Sequence, residues 1–200
     1  MIKENRQLSK YLDIISLFLP DYNTQLTGRE MGRRLGINHQ TALNKINFLV
    51  DKNIITFERK GANKEYMLNF NNYSTKILLV MAENSVAVNA LFDTEINVIV
   101  PELIDSCEIM ILFGSFSSGT QDENSDIDII CAGKCNKEMV GKIRRKNPRE
   151  INVQYITRRG LEKSLKDRNA LAMEILRNHK IFGDVSKVVD IFWTWYSGKR

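Results

Sequence analysis

Ile111-Leu112-Phe113-Gly114-Ser115, then ten residues, then Asp126-Ile127-Asp128-Ile129-Ile130: the reading of the fold turns on these two segments. The apolar run from Ile109 to Phe113 predicts a buried strand that stops at a glycine. A polar connection follows, with Ser117-Ser118-Gly119-Thr120 at its start. The second apolar run carries two aspartates two apart, and side chains alternate along a strand, so both carboxylates project from one face. Like charges side by side repel, and nothing about packing asks for two of them in an otherwise apolar strand. A divalent cation does, because hard Mg²⁺ takes oxygen ligands and pairs carboxylates with substrate phosphates. At the other segment, Gly114 lets the backbone approach a phosphate and Ser115 adds a hydroxyl. Amides at the start of a short helix, predicted from about Phe116 to Gln121, favour an anion. The plainer alternative, a Gly-Ser turn followed by an exposed edge strand with two charges, does not account for the order of the elements.

Gly114, Ser115, Asp126 and Asp128 match, in identity and spacing, the signature of the nucleotidyltransferase fold of the polymerase-β superfamily. The segment most closely resembles the minimal, prokaryotic branch. The resemblance implies a small mixed-sheet domain that binds Mg²⁺ (or Mn²⁺) and a nucleoside triphosphate. Gly114 and Ser115 would then contact the nucleotide, and Asp126 and Asp128 the metal. Active members transfer a nucleotidyl group with the help of a third carboxylate on a neighbouring strand. Here that strand reads Glu150-Ile151-Asn152-Val153-Gln154-Tyr155-Ile156, and Asn152 stands where the aspartate is expected. An amide offers an oxygen to a metal but carries no charge and accepts no proton as a general base. The third catalytic position is therefore degenerate, and nucleotide binding is better founded than transfer. Glu150 shares the face of Asn152, one step nearer the strand start, and is the alternative third carboxylate.

Upstream, Leu8, Leu12, Ile15, Leu17, Phe18 and Leu19 trace a helical stripe ended by Pro20. Thr27 and Glu30 form a capping-box pattern for a helix over Gly28 to Leu35. Gly36-Ile37-Asn38 then turns the chain into a third helix from about His39 to Lys52, with Ala42, Leu43, Ile46, Leu49 and Val50 on its apolar face. Alternation over Ile54–Arg59 and Lys64–Leu68, around Lys60-Gly61-Ala62-Asn63, predicts a hairpin. This order, over about residues 5–70, resembles the winged-helix (helix-turn-helix) domain of prokaryotic transcription regulators. The resemblance implies binding to double-stranded DNA as a homodimer on pseudo-palindromic sites. His39, Gln40, Thr41, Asn44 and Lys45 would reach the major groove. Arg59, Lys60 and Lys64 on the wing, together with Arg33 and Arg34, would meet phosphates. Winged helices also serve as protein-interaction modules; the polar run that opens the third helix favours DNA.

The predicted class is α+β, in three parts: residues 1–73 as the winged helix, 74–106 as a helical connector, and 107–200 as the nucleotidyltransferase-like domain with its carboxyl-terminal helices. Charge follows this division. Residues 1–73 carry 11 basic and 7 acidic side chains, residues 74–106 carry 1 and 5, and residues 107–200 carry 17 and 12. Two basic modules around an acidic connector suit two anion-facing surfaces. Ser74 to Phe92 predicts one long helix and Asp93 caps a second, in which Pro101 is expected to cause a kink or break. Leu161–Leu165 and Ala170–Arg177 predict short helices, Ile181-Phe182 an edge strand, and Val185–Tyr196 an aromatic helix that packs into a core or subunit contact. The charged amino terminus has no signal-peptide core and no apolar run is long enough to span a bilayer, so a cytoplasmic location is expected. The odd number of cysteines argues against a disulfide framework. Cys131-x-x-x-Cys135 is half of a zinc pattern with no second half, so buried or idle thiols are expected.

Three functions follow from these features. The first is a DNA-binding transcriptional regulator that holds a Mg²⁺-nucleotide. The second is an active nucleotidyltransferase acting on a protein or small molecule, a class that by resemblance includes antitoxins that adenylylate a partner toxin. The third is a scaffold in which both folds mediate only assembly. Asn152 favours the first over the second, and retention of Ser115 with both aspartates argues against the third.

Overall fold

A computed structural model describes residues 9–198 and divides the chain into two compact units. One takes the chain up to Ala82 and again from Tyr196; the other is Glu83–Trp195. Helices and two small sheets mix in an α+β arrangement.

In the first unit, α1 (Leu12–Ser16) leads to a short strand β1 (Leu26–Thr27), then α2 (Gly28–Arg34) and α3 (His39–Asp51). The apolar stripe continues towards Pro20, but the helix ends at Ser16. Leu17, Phe18 and Leu19 close onto Ile14, Ile15 and Ser16 through tighter three-residue bonds, as suits a chain approaching a proline that disfavours the α conformation before it. Thr27 accepts the Glu30 amide at 3.2 Å and Asn38 accepts the Thr41 amide at 2.8 Å, so each helix start satisfies one of its orphan donors. The Glu30 carboxylate pairs with Arg34 at 2.5 Å.

Strands β2 (Ile55–Lys60) and β3 (Asn63–Leu68) form the hairpin. Lys60 lies opposite Asn63, so the turn is Gly61-Ala62 and not the four residues predicted. β1 adds to the other edge of β3, giving the order β1-β3-β2. Ala42, Ile46 and Leu49 from α3 are buried with Ile14, Ile15, Phe18, Met31, Ile55 and Leu68.

Helix α4 (Tyr73–Ala90) leads into α5 (Thr94–Ile104), whose first amides, those of Glu95 and Ile96, are capped by Asp93 at 2.9 and 3.2 Å. Of the kink or break expected at Pro101, a break does not occur: α5 runs through the proline. A helix-interior proline costs about 3 kcal/mol. Ile96, Ile99, Val100 and Leu103 are all buried on this helix, and each contributes about 1.5–3 kcal/mol. Burial wins.

The second sheet is built from β4 (Cys107–Phe113), β5 (Ile127–Cys135), β6 (Ile151–Ile156) and β7 (Lys180–Gly183), in the order β6-β5-β4-β7. β5 and β6 run parallel; the other pairs are antiparallel. Between them lie α6 (Ser115–Ser118), α7 (Lys137–Lys146), α8 (Arg158–Lys166) and α9 (Ala170–Arg177), and α10 (Val185–Ser197) closes the chain. Met110, Leu112, Ile129 and Cys131 pack with the apolar faces of α5 and α7. The alternate residues Ile109, Ile111, Ile130 and Ala132 are buried as well, which is why the two central strands read as almost unbroken apolar runs. Among the described residues no helix is long and apolar enough to cross a membrane.

Candidate functional site

The geometry of the site follows from strand register. Phe113, the last residue of β4, lies opposite Asp128, and Asp128 lies opposite Asn152 on β6. The Gly-Ser bend, the aspartate and the asparagine therefore meet at one end of the sheet. Asp126 sits one residue before β5 and is exposed, while Asp128 and Asn152 are half-buried. The Asn152 amide nitrogen donates to Asp126 Oδ2 at 3.3 Å and to Asp128 Oδ1 at 3.4 Å. One neutral side chain thus bridges both carboxylates.

Gly114 is required by shape. Its φ is +69°, and a Cβ there would lie 2.7 Å from Asp128 Oδ2. The Asp128 carboxylate occupies the space that any other residue's side chain would claim. Helix α6 is a single turn, Ser115–Ser118, and ends at Gly119, short of the expected Gln121. One turn has too few aligned peptides for an appreciable macrodipole, so an anion placed here would depend on individual amides and the Ser115 hydroxyl.

Three residues absent from the sequence-derived set build the surroundings. Asn178, just before β7, donates to the Gly114 carbonyl at 3.0 Å. Lys180 donates to the Phe116 carbonyl at 2.7 Å, and its ammonium is pushed below the usual lysine range by burial. Arg149 Nη1 donates to the carbonyls of Asp122, Glu123 and Ser125 at 3.0, 3.0 and 2.8 Å. The same guanidinium holds Glu95 at 2.5 and 2.8 Å and lies over the Phe116 ring at 5.2 Å. It fastens the loop that delivers Asp126. A lone arginine after a proline gave no signal in the sequence, because its partners are backbone carbonyls.

Four carboxylate oxygens and an amide suit a hard cation. Which amide atom faces the carboxylates is set by the hydrogen-bond network, and exchanging nitrogen for oxygen presents a ligand in place of a donor. The residues present therefore fit a hard divalent cation. They provide no general base at the third position. Glu150, the alternative, is exposed; its carbonyl accepts the Ile127 amide at 2.9 Å, and in register it falls opposite Asp126.

In the first unit, His39, Gln40, Thr41 and Asn44 are all exposed on the first turns of α3, as are Arg59, Lys60 and Lys64 on the hairpin. Gln40 donates to Asn44 at 3.1 Å. Lys45 is half-buried and ion-paired with Asp13. Lys60 pairs with Glu65 at 2.6 Å, and the Lys64 ammonium lies 4.2 Å from the Phe57 ring centre. The three cysteines are not scattered. Cys107 Sγ lies 3.0 Å from Cys131 Sγ and 2.9 Å from Cys135 Sγ. Contact with Cys131 and burial push the Cys107 thiol far up, and burial with the Cys107 contact pushes Cys135 up to about 11.

Residues 102–181 match the family model of the nucleotidyltransferase domain. The span runs from the end of α5 through the first residues of β7, and Gly114, Ser115, Asp126, Asp128 and Asn152 all fall inside it. Neither a curated protein nor a solved structure matches the chain.

Proposed function

We propose, from a nucleotidyltransferase domain in residues 102–181, that this protein is a DNA-binding transcriptional regulator whose second unit holds a metal–nucleoside triphosphate without transferring it. The bridging of Asp126 and Asp128 by the Asn152 amide carries this reading. Gly114 leaves the backbone open to the phosphates, and Ser115 offers its hydroxyl and amide. Asp126 and Asp128 provide carboxylate oxygens, and Asn152 orients both. Mg²⁺ (or Mn²⁺), once bound there, supplies positive charge against the phosphate oxygens. With no proton acceptor at position 152, an attacking hydroxyl is not activated, and the nucleotide stays intact.

The first unit is the proposed winged helix. Its exposed His39, Gln40, Thr41 and Asn44 form the base-reading face, with Arg59, Lys60 and Lys64 on flanking phosphates. Lys45 is the weakest member of the set, because Asp13 already neutralises it. Two copies would read a pseudo-palindromic site as a homodimer.

Binding of a fluorescent ATP analogue with Mg²⁺, set against label transfer from ATP to any component of a lysate, tests the site. Magnesium-dependent binding without transfer is expected. Binding that persists unchanged in the Asp126→Ala, Asp128→Ala double variant would refute the metal assignment. Exposed Glu150, in register opposite Asp126, favours the second reading, an active transferase acting on a protein such as a toxin or on a small molecule. Label transfer that disappears in Glu150→Gln would establish that reading in place of the first.

A further inference from the structure

We propose that Cys107, Cys131 and Cys135 form a second metal site, specific for a thiophilic divalent cation such as zinc, at the opposite end of β4 and β5 from the Asp126–Asp128 pair. The two ends are separated by the length of β4, roughly 20 Å at the usual strand rise. The thiol site is independent of the nucleotide site and of its proposed function.

The grouping requires a particular backbone. Cys107 opens β4 and Cys135 closes β5, directly opposite each other, whereas Cys131 lies opposite Met110. In a regular strand Cys131 and Cys135 would stand about 13 Å apart. Their sulfurs instead lie within 4.8 Å of one another and of Cys107. The register slips between Cys107 and Ile109: β5 advances from Ala132 to Cys135 while β4 moves only two residues, so β5 carries a bulge. Gly133 makes the bulge, with φ +83° and no room for a Cβ, which would meet Glu108 Oε2 at 2.5 Å. Glu108 accepts the Lys134 amide at 3.1 Å and is held by Lys187 at 2.7 Å. The bulge is therefore buttressed from outside the trio, and it turns three sulfurs towards one point.

The donor chemistry is selective. Three sulfurs with no oxygen or imidazole ligand among them suit zinc or another soft cation and not magnesium. Zinc–sulfur bonds of about 2.3 Å in tetrahedral geometry need sulfur–sulfur edges of about 3.7 Å. The two short edges, 2.9 and 3.0 Å, open to that value through shifts of under about 1 Å. Cys107 and Cys131 are buried and Cys135 is half-buried, so the ion enters past Cys135 and keeps its fourth position open to water or an added donor. Each thiol releases its proton to solvent as its sulfur takes the metal. Lys137, whose ammonium sits 4.8 Å over the Tyr155 ring, places positive charge beside the resulting anionic cluster.

The test uses the full chain, purified reduced and freed of metal by chelation, with magnesium in excess throughout. One zinc per chain is expected to bind and to protect all three thiols from a thiol reagent. Cobalt in place of zinc is expected to give thiolate-to-metal charge-transfer bands and the visible bands of a tetrahedral ion. Cys135→Ser, at the half-exposed position, should weaken zinc binding by more than about 100-fold, since loss of a ligand exceeds the loss of an outer-shell partner. The Asp126→Ala, Asp128→Ala double variant should bind zinc as the parent chain does. Equal zinc affinity in Cys135→Ser, a cobalt spectrum without charge-transfer bands, or a disulfide that consumes two thiols despite added zinc would each overturn the proposal.

Discussion

Asn152 concentrates the chemistry of the site into one side chain. Its amide spans two carboxylates that would otherwise repel. Replacing it with aspartate puts a third negative charge within hydrogen-bonding range of both. Asn152→Asp is therefore expected to lower the melting temperature in chelator and to restore it with magnesium. Magnesium affinity should rise by about tenfold, within the range seen when metal-site partners change. A titration that shows no gain in affinity would mean that position 152 does not face the ion. Gly114 is the other residue with no substitute. Gly114→Ala combines a left-handed φ with an approach of 2.7 Å to Asp128 Oδ2. It should destabilise the second unit by about 1–3 kcal/mol and abolish nucleotide binding, measured by denaturant melts and fluorescence titration.

At the scale of elements, two fastenings hold the second unit in the shape the site needs. Arg149 ties the 122–125 loop to α5 through Glu95. Arg149→Ala frees the loop that delivers Asp126 and should weaken nucleotide binding by about 10–100-fold, although no residue proposed to touch metal or nucleotide is changed. Lysine should not rescue it, since one ammonium cannot serve three carbonyls and a bidentate carboxylate together. The second fastening is buried. His179 Nε2 meets Glu83 Oε1 at 3.0 Å, its Nδ1 meets the Ile175 carbonyl at 2.5 Å, and its ring packs on Phe192. Burial alone would lower the imidazole's affinity for a proton, but the Glu83 charge and these hydrogen bonds outweigh it and hold the pKa above the ordinary value. A raised folded-state pKa gives stability that is complete below the unfolded value of about 6.5 and lost as pH rises through the folded one. The melting temperature should accordingly fall as pH is raised from about 6.5, and the slope should flatten in Glu83→Gln. His179→Ala removes one partner of this buried pair and should destabilise the second unit.

For the molecule as a whole, the proposed function joins a nucleotide-holding unit to a DNA-reading one. If phosphate contacts from Arg59, Lys60 and Lys64 dominate, affinity for the DNA upstream of the protein's own coding sequence should fall steeply with salt. Lys64→Ala should weaken binding to all sequences and reduce the salt slope by about one contact, whereas Gln40→Ala should relax discrimination among sequences. Filter binding over a salt series reads both. An unchanged slope in Lys64→Ala would assign the hairpin to protein contacts, the other use of such a module.

The residues whose partners are near in the chain were legible from sequence. Thr27 and Asn38 cap helices three residues away, and the two-residue spacing of Asp126 and Asp128 places both on one face because the strand period is two. Gly114 and Ser115 could be read for the same reason, as the end of an apolar run. Asn152 stands out in the sequence only through the resemblance, which assigns a role to β6. Interactions that reach across the fold left no trace in the order of residues. Arg149 grips carbonyls more than twenty positions upstream, and Asn178 and Lys180 reach back over sixty positions to the Gly-Ser bend. Cys107 completes a trio with Cys131 and Cys135 through a bulge at Gly133 that no periodicity announces. The chain by itself determined which faces carry charge and where its elements begin, since these are local steric and hydrogen-bonding matters. Tertiary structure alone decided which distant side chains share a point in space, because strand order and register are settled by burying both faces of the central sheet.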